Sequence, residues 1–255
     1  MLSAPLIVVG ANKGGVGKTT VARALIDYFL TLGLPVKAYD TQSPGGGLKR
    51  YYPDITDIVN LKKTRDLCRF LEEVNTGENL AIVDACAGQF SRCLTILREV
   101  GFTGKTHKDA ANVIALHVLG SSFASLSELE EMESFKDECE FFNVRNFISD
   151  ARYQGRNQGL SQAYLKEGLG PHEILIPPLD PLAYEAVDTA GVSFSAFVLD
   201  APSKSTTNGN GSFVLRGYVG NWLERVWNNF ESAGLNELVS FAPNGIQAAA
   251  KGAAA

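Results

Sequence analysis

The sequence contains 255 residues, 45% of them hydrophobic, which suffices for one sizeable α/β domain with a full core. Its net charge of −5 gives no bulk support for binding nucleic acid or a membrane surface, although a local basic face is compatible with that charge. The 4 cysteines form no Cys-x-x-Cys pair, so we expect reduced thiols and neither a zinc nor an iron–sulfur site. No apolar run approaches the roughly 18 residues of a membrane span, and we expect a cytoplasmic protein.

The chain opens with an apolar strand, a glycine-rich turn and a helix. Leu6 to Val9 form a short β-branched run that predicts a buried parallel strand. After the turn, Lys18-Thr19-Thr20 leads into apolar residues at helical spacing. Strand, glycine loop, Lys-Thr and helix make up the context that a phosphate-binding loop requires.

Each residue type in this turn suits the binding of phosphate. Glycines let backbone N–H groups approach phosphate oxygens with no Cβ in the way, and the helix N-terminus adds unpaired donors. Lys18 can reach the β- and γ-phosphates, and the Thr19 hydroxyl can bind Mg²⁺. The predicted phosphate-binding residues are Gly14, Gly15, Val16, Gly17, Lys18, Thr19 and Thr20. The alternative is a glycine-rich turn that binds nothing.

The loop departs from the strict pattern G-x-x-x-x-G-K-[ST] at its first position, where Asn12 replaces glycine. The segment from Lys13 to Thr20 resembles the deviant Walker A loop of the ParA/MinD family of P-loop ATPases, which has a second lysine near its start. The resemblance implies a P-loop NTPase of the SIMIBI type. It also implies catalytic roles for Lys18 and for Lys13, which in the family crosses a nucleotide-sandwich dimer to the partner's phosphates. The alternative for Lys13 is a solvated loop lysine.

Strand-like and helix-like segments alternate along the chain, which predicts a three-layer αβα fold with a mostly parallel central sheet. Later strands are expected at 36–39, 80–84, 112–119, 144–148 and 173–176. Later helices are expected at 64–75, 91–100, 121–142, 180–190 and 213–232, with an extended piece at 193–199. We expect residues 1–245 to form one domain and residues 246–255 to be a disordered low-complexity tail or a cloning remnant.

Two predicted strands end in an acid, and ligands bind at the carboxyl ends of strands in open α/β sheets. Asp84 resembles a Walker B acid that holds Mg²⁺; the alternative is an acid that caps the next helix. Asp40-Thr41-Gln42 occupies the place where ParA-like proteins often have Asp-x-Asp-Pro-Gln. Counting from Gly33 lets Gln42 orient the attacking water, whereas matching glutamine to glutamine makes Asp40 the group that polarises it. In either register the resemblance implies that Asp40 lies close to magnesium, together with Thr19 and Asp84.

The resemblance continues more weakly downstream, where Ile176-Pro177-Pro178 is similar to the family's segment near the adenine. It implies contacts to the base from Asp150, Arg152 and Pro177, with ordinary loop roles as the alternative. The last helix carries few cations on its polar face, so we expect it to pack on the sheet and not to bind a membrane.

The resemblance implies ATP and Mg²⁺ as cofactors and slow hydrolysis of ATP. It implies a switch that forms a homodimer on binding ATP and that serves plasmid DNA partition, stability or transfer. A protein partner would stimulate hydrolysis. Surface lysines and arginines could form a patch that binds DNA without sequence specificity. One alternative is an ATP-dependent ligase or kinase related to dethiobiotin synthetase, with a small-molecule pocket near residues 40–50 and 88–92. Another is a nucleotide-binding adaptor that does not hydrolyse.

Overall fold

A parallel sheet forms the middle layer of the computed structural model, which describes residues 5–103, 112–119, 128, 131–148, 172–199 and 212–239. Within these residues seven strands pair in the order β3-β2-β4-β1-β5-β6-β7, and each neighbouring pair is parallel. The strands are β1 (Leu6–Gly10), β2 (Val36–Asp40), β3 (Thr56–Ile58), β4 (Leu80–Asp84), β5 (Val113–Leu119), β6 (Glu140–Asn146) and β7 (His172–Ile176).

Helices cover both faces of this sheet, so the three-layer αβα prediction is confirmed. The described helices with defined bounds are α1 (Lys18–Thr31), α2 (Thr64–Thr76), α3 (Phe90–Glu99), α4 (Pro181–Ala190), α5 (Phe194–Leu199), α6 (Phe213–Ser232) and α7 (Leu235–Val239). Alternate residues of β1 enter different cores. Ile7 and Val9 pack with α1 and α6, whereas Leu6 and Val8 pack with α2 and α3. Because both faces of β1 are covered, its sequence is an uninterrupted apolar run.

The strand order reverses at β1: β2, β3 and β4 all lie on one side of it, and β5, β6 and β7 lie on the other. The register of the sheet pairs Val9 with Asp84 and Asp40 with Asp84. The two acidic strand ends therefore lie beside the end of β1, where the glycine-rich turn begins. A topological switch point of this kind is where open α/β sheets bind ligands.

The prediction of a helix that extends to Phe142 is wrong for the C-terminal part of that helix. Glu128 and residues 131–133 are helical, but turns cover 134–138 and β6 begins at Glu140, four residues before the expected start at 144. Phe141 faces one core and Phe142 the other. This two-residue alternation belongs to a strand buried on both faces, and it overrides the helical propensity of the acidic residues before it.

The extended piece expected at 193–199 is instead the helix α5. The Ser193 hydroxyl accepts the N–H of Ala196 at 3.0 Å and so caps the first turn. Phe194 and Phe197, three residues apart, are both buried on one face. The short elements β3 and α7 had no distinct sequence signal.

The C-terminal helix α6 packs on the sheet side that holds α1, as expected. Val219, Trp222, Val226 and Phe230 are buried, and the Trp222 Nε1–H donates to the carbonyl of Pro177 at 2.8 Å. Among the described residues, no helix combines the length and apolarity needed to cross a membrane. The segment 246–255 lies outside the described residues.

Replacing Gly10 by alanine tests how tightly the end of β1 is packed. An added Cβ would lie 2.0 Å from Cδ2 of Phe90, whose buried ring stacks on His117 with centroids 5.5 Å apart. We predict that Gly10→Ala lowers the free energy of unfolding by about 1–3 kcal/mol because the ring must shift within a full core. Urea denaturation measures this loss.

Gly217→Ala is the matched control for that substitution. Gly217 lies inside α6, and an added Cβ meets nothing within 4 Å. Alanine there should leave stability unchanged or raise it by up to about 1 kcal/mol. Equal stability of Gly10→Ala and wild type would show that the Phe90 ring moves at no cost.

Candidate functional site

A cavity of about 380 Å³ lies at the carboxyl ends of β1, β2 and β4. Its wall brings together nine residues that the sequence singled out, and adds Cys86, Ala87 and Tyr184. The nine are Gly14, Gly15, Gly17, Lys18, Thr19, Thr20, Asp40, Gln42 and Asp84.

The glycine-rich turn exposes backbone donors to this cavity. Gly15 and Gly17 have φ angles of 74° and 86°, a region that side chains with a Cβ rarely adopt. Gly17 also lies against Asn146, because an added Cβ would be 2.0 Å from Asn146 Nδ2. That amide donates to the carbonyl of Val16 at 2.9 Å, and Val16 is not among the residues lining the cavity. No side chain of the described residues caps α1 at Gly17, which leaves its first-turn N–H groups for a ligand.

The Lys18 ammonium is held inside the loop. Its Nζ donates to the carbonyl of Lys13 at 2.7 Å, and only 8% of the residue is exposed. Burial lowers the pKa of Lys18, while the nearby carboxylates of Asp84 and Glu128 oppose that change. The cation is thus placed among the loop amides, within reach of any anion that enters the cavity. Lys13 itself lies at the start of the loop and is not among the residues that line this cavity.

Thr19 and Asp84 form the contact between the loop and β4. The Thr19 hydroxyl donates to Asp84 Oδ2 at 2.7 Å, and Asp84 Oδ1 is buried without a hydrogen-bond partner in the described residues. Burial and the nearby Asp40 carboxylate together raise the pKa of Asp84 to about 7, against the bond from Thr19 and the charge of Lys18. An unpartnered buried carboxylate oxygen beside a hydroxyl fits a magnesium ion, which prefers hard oxygen ligands.

Within the described residues, no group of three or more His, Cys, Asp or Glu side chains could hold a metal ion. A divalent cation held by Asp84 and Thr19 would therefore take its remaining ligands from water and from substrate oxygens. Mg²⁺ is commonly bound this way, by one or two protein oxygens together with phosphates.

Asp40 and Gln42 occupy different positions at the next strand end. Asp40 is 1% exposed, and its two oxygens accept the backbone N–H groups of Gln42 at 2.8 Å and Leu48 at 2.7 Å. Its carboxylate therefore shapes the loop 41–48. Gln42 is exposed and lines the cavity. Both residues line the cavity, but Asp40 is buried with both oxygens already bonded, whereas the Gln42 side chain is exposed.

Tyr184 is a wall residue to which the sequence assigned no role. Its hydroxyl lies 3.1 Å from Thr20 Oγ1, at the first turn of α1. The signal available in the sequence was its place in the segment after Pro177 and Pro178. Pro177 is not among the residues lining this cavity, and its carbonyl accepts a hydrogen bond from Trp222. Asp150 and Arg152 lie outside the described residues.

This chain has the fold of P-loop NTPases: a glycine-rich turn links a buried parallel strand to a helix N-terminus and ends in Lys-Thr. No protein-family model matches the chain, and no curated protein sequence does. Solved structures do match it. A nucleotide-binding protein in complex with ADP from Archaeoglobus fulgidus is 18% identical, with a TM-score of 0.47, over 74% of this chain and 86% of that one.

Two further similar structures contain MinD. The MinC:MinD cell division complex of Aquifex aeolicus is 17% identical, with a TM-score of 0.49, over 88% of this chain and 96% of that one. The septum site-determining protein MinD of Pyrococcus horikoshii, complexed with Mg-ADP, is 18% identical, with a TM-score of 0.49, over 86% and 95%. At such identities and TM-scores no property of these proteins transfers to this chain, and its function must be argued from its own residues.

The raised pKa of Asp84 predicts how stability depends on pH in metal-free buffer. Asp84 binds its proton more tightly in the folded state, so its contribution to stability is full below pH 3.8 and is lost as the pH rises to about 7. We predict that Asp84→Asn removes this loss and is more stable than wild type at pH 8, by on the order of 1–4 kcal/mol. Urea unfolding at pH 5 and pH 8 with EDTA measures the difference.

Asp57→Asn is a control, because the pKa of Asp57 is shifted in the direction opposite to that of Asp84. The hydrogen bond from Lys37 lowers the pKa of Asp57, with Lys37 Nζ and Asp57 Oδ2 2.7 Å apart at the surface. Its loss should destabilise the protein at pH 8, by less than about 1 kcal/mol because solvent screens the pair. If the free energy of unfolding changed equally with pH in wild type and in Asp84→Asn, Asp84 would not have the raised pKa that we derive from its buried, unpartnered oxygen.

Proposed function

We propose that this protein is a magnesium-dependent ATPase of the ParA/MinD type, which hydrolyses ATP to ADP and phosphate and forms a homodimer when ATP is bound. The process that it serves is plasmid DNA partition, stability or transfer. The observation that carries the proposal is the contact of Thr19 with the buried Asp84 carboxylate, whose second oxygen has no partner, directly beside Lys18 and the loop amides.

The residues that line the cavity support a triphosphate lying across the loop. Asp84 and Gln42 enter its wall from β4 and from the segment after β2, whereas Thr20 and Tyr184 enter it from α1 and α4. The γ-phosphate would lie beside Asp84 and Gln42, and the α-phosphate beside Thr20 and Tyr184. Lys18 would leave the Lys13 carbonyl for the β- and γ-phosphates. Thr19 and Asp84 would hold the magnesium ion, which when bound neutralises charge on the phosphate oxygens.

The positions of Asp40 and Gln42 favour glutamine as the residue that orients water. Both Asp40 oxygens already accept backbone N–H groups, whereas Gln42 lines the cavity with an exposed side chain. Gln42 would hold the water whose oxygen bonds to the γ-phosphorus as the bond to the β-phosphate oxygen breaks. ADP and inorganic phosphate are then the products.

Homodimerisation rests on Lys13 and on the resemblance of the loop. Lys13 lies at the loop start, its carbonyl is held by Lys18, and it is not among the residues lining the cavity. This place suits a side chain that acts on a neighbouring subunit's nucleotide, where its charge would stabilise the transferring phosphoryl group. A protein partner that stimulates hydrolysis and non-specific DNA binding belong to the same proposal.

The small-molecule ligase or kinase alternative receives less support. It requires a small-molecule pocket near residues 40–50 and 88–92. Of these residues, Asp40 and Gln42 line the cavity beside the glycine-rich loop, and none from 88–92 is among its lining residues. Leu48 is buried in the hydrophobic core.

Lys13→Ala tests the dimerisation switch. We predict that the wild type is a monomer without nucleotide and a dimer with Mg-ATP, and that Lys13→Ala binds ATP but stays monomeric because the cation that bridges the subunits is gone. Size-exclusion chromatography with light scattering gives the masses. Lys136→Ala, which removes an exposed lysine paired only with the surface acid Glu133 in the described residues, should dimerise like wild type. A wild type that stays monomeric with ATP bound would contradict the proposal.

Gln42→Ala separates the two registers of the Asp40 motif. If Gln42 orients water, the variant should lose roughly 100-fold in kcat with KM for ATP little changed. Asp40→Asn should instead lower the melting temperature, because one amide cannot accept both backbone N–H groups of the 41–48 loop. Steady-state phosphate release and thermal unfolding provide the two readouts. A Gln42→Ala variant with the wild-type kcat would favour the register in which Asp40 polarises water.

A further inference from the structure

The start of the phosphate loop is bound by an acidic side chain from a distant part of the sequence. Glu128, 116 residues from Asn12, accepts the backbone N–H of Asn12 on its Oε2 at 2.9 Å. The same oxygen lies 3.1 Å from Nε2 of the buried His117 on β5. Because a carboxylate accepts, this bond requires the tautomer in which Nε2 carries the proton.

The charge of Glu128 is stabilised where it lies. Burial raises its pKa, but hydrogen bonds from His117 and from the backbone N–H groups of Asn12 and Lys13 outweigh burial, so the net pKa is lowered. Two consecutive amides of the loop therefore converge on one carboxylate. Gly14, Gly15 and Gly17 line the cavity, where their amides would be available to a ligand.

The peptide groups around Lys13 are thus held from two sides. Glu128 accepts N–H groups on one side, and the Lys13 carbonyl accepts Lys18 Nζ on the other. When Lys18 turns toward a bound phosphate, its bond to that carbonyl breaks. Glu128 would keep its bonds to the amides of Asn12 and Lys13. It is not among the residues lining the cavity, although its charge acts on Lys18.

We propose that Glu128 is a positioning residue for Lys13: by holding the first amides of the loop, it fixes the direction in which the Lys13 side chain leaves toward a second subunit. This inference rests on the proposed dimerisation switch. His117, a residue of β5, supports Glu128 through the hydrogen bond from Nε2, and its imidazole stacks on Phe90.

The test compares Glu128→Ala with Lys13→Ala and with the double variant. We expect Glu128→Ala to bind Mg-ATP within about threefold of wild type, by calorimetry, but to weaken ATP-dependent dimerisation by about tenfold or more, by light scattering. The double variant should dimerise no worse than Lys13→Ala alone, because both substitutions remove the same function.

Glu128→Gln, which keeps an acceptor oxygen, should recover most of the dimer. Glu133→Ala, which removes an exposed acid near Glu128 in the sequence, is the control that should match wild type.

Several outcomes would overturn the inference. Glu128→Ala that dimerises like wild type, while Lys13→Ala does not, shows that Glu128 does not position the lysine and leaves the proposed function intact. Equal losses of ATP affinity and dimerisation show a merely structural role. Additive losses in the double variant show independent actions. If Glu128→Ala does not fold, Glu128→Asp replaces it, since it keeps the charge but shortens the reach. A wild type that never dimerises with ATP bound defeats the proposed function itself.

Discussion

The bond from Thr19 to Asp84 is the interaction on which the rest of the site depends, because it joins the phosphate loop to the neighbouring strand. The bond is possible only because β1 and β4 are parallel and in the register that sets Val9 opposite Asp84. Parallel pairing brings the carboxyl ends of both strands to the same edge, and reversal of the strand order at β1 opens a crevice there. A slip of one residue would turn Asp84 to the opposite face.

The buried carboxylates of Asp40 and Asp84 lie at the ends of adjacent strands and would repel each other. The structure gives the two carboxylates different hydrogen-bond partners. Asp40 receives two backbone N–H donors and so has a settled, structural environment. Asp84 receives one donor and retains an oxygen without a partner, next to Lys18. The charge of Asp40 contributes to the raised pKa of Asp84. A cation beside Asp84 would relieve both the desolvation of the carboxylate and its repulsion by Asp40.

The parts that could be predicted from the sequence are those set by local chemistry. The run Leu6–Val9, the glycines after it and the Lys-Thr pair predicted β1, the loop and α1, and the apolar run ending in Asp84 predicted β4. Segments with competing signals were misjudged: Phe141 and Phe142 follow a stretch rich in helix formers, and 193–199 lacks the length of a clear helical period. Contacts of Glu128 and Tyr184 join residues more than a hundred positions apart, and no local pattern encodes such a contact.

The departure at Asn12 has a structural reason that follows from its contacts. Its carbonyl accepts the N–H of Gly88 at 2.9 Å, and its side-chain amide donates to Ser91 at 2.7 Å and to Glu131 at 2.9 Å. A glycine at this position could keep the backbone bonds but not those of the side chain. The asparagine therefore binds the loop to the start of α3 and to the helical residues 131–133, and these bonds hold the first residue of the loop in place. Because Lys13 comes next, the residue that breaks the strict motif is the one that anchors its distinctive lysine.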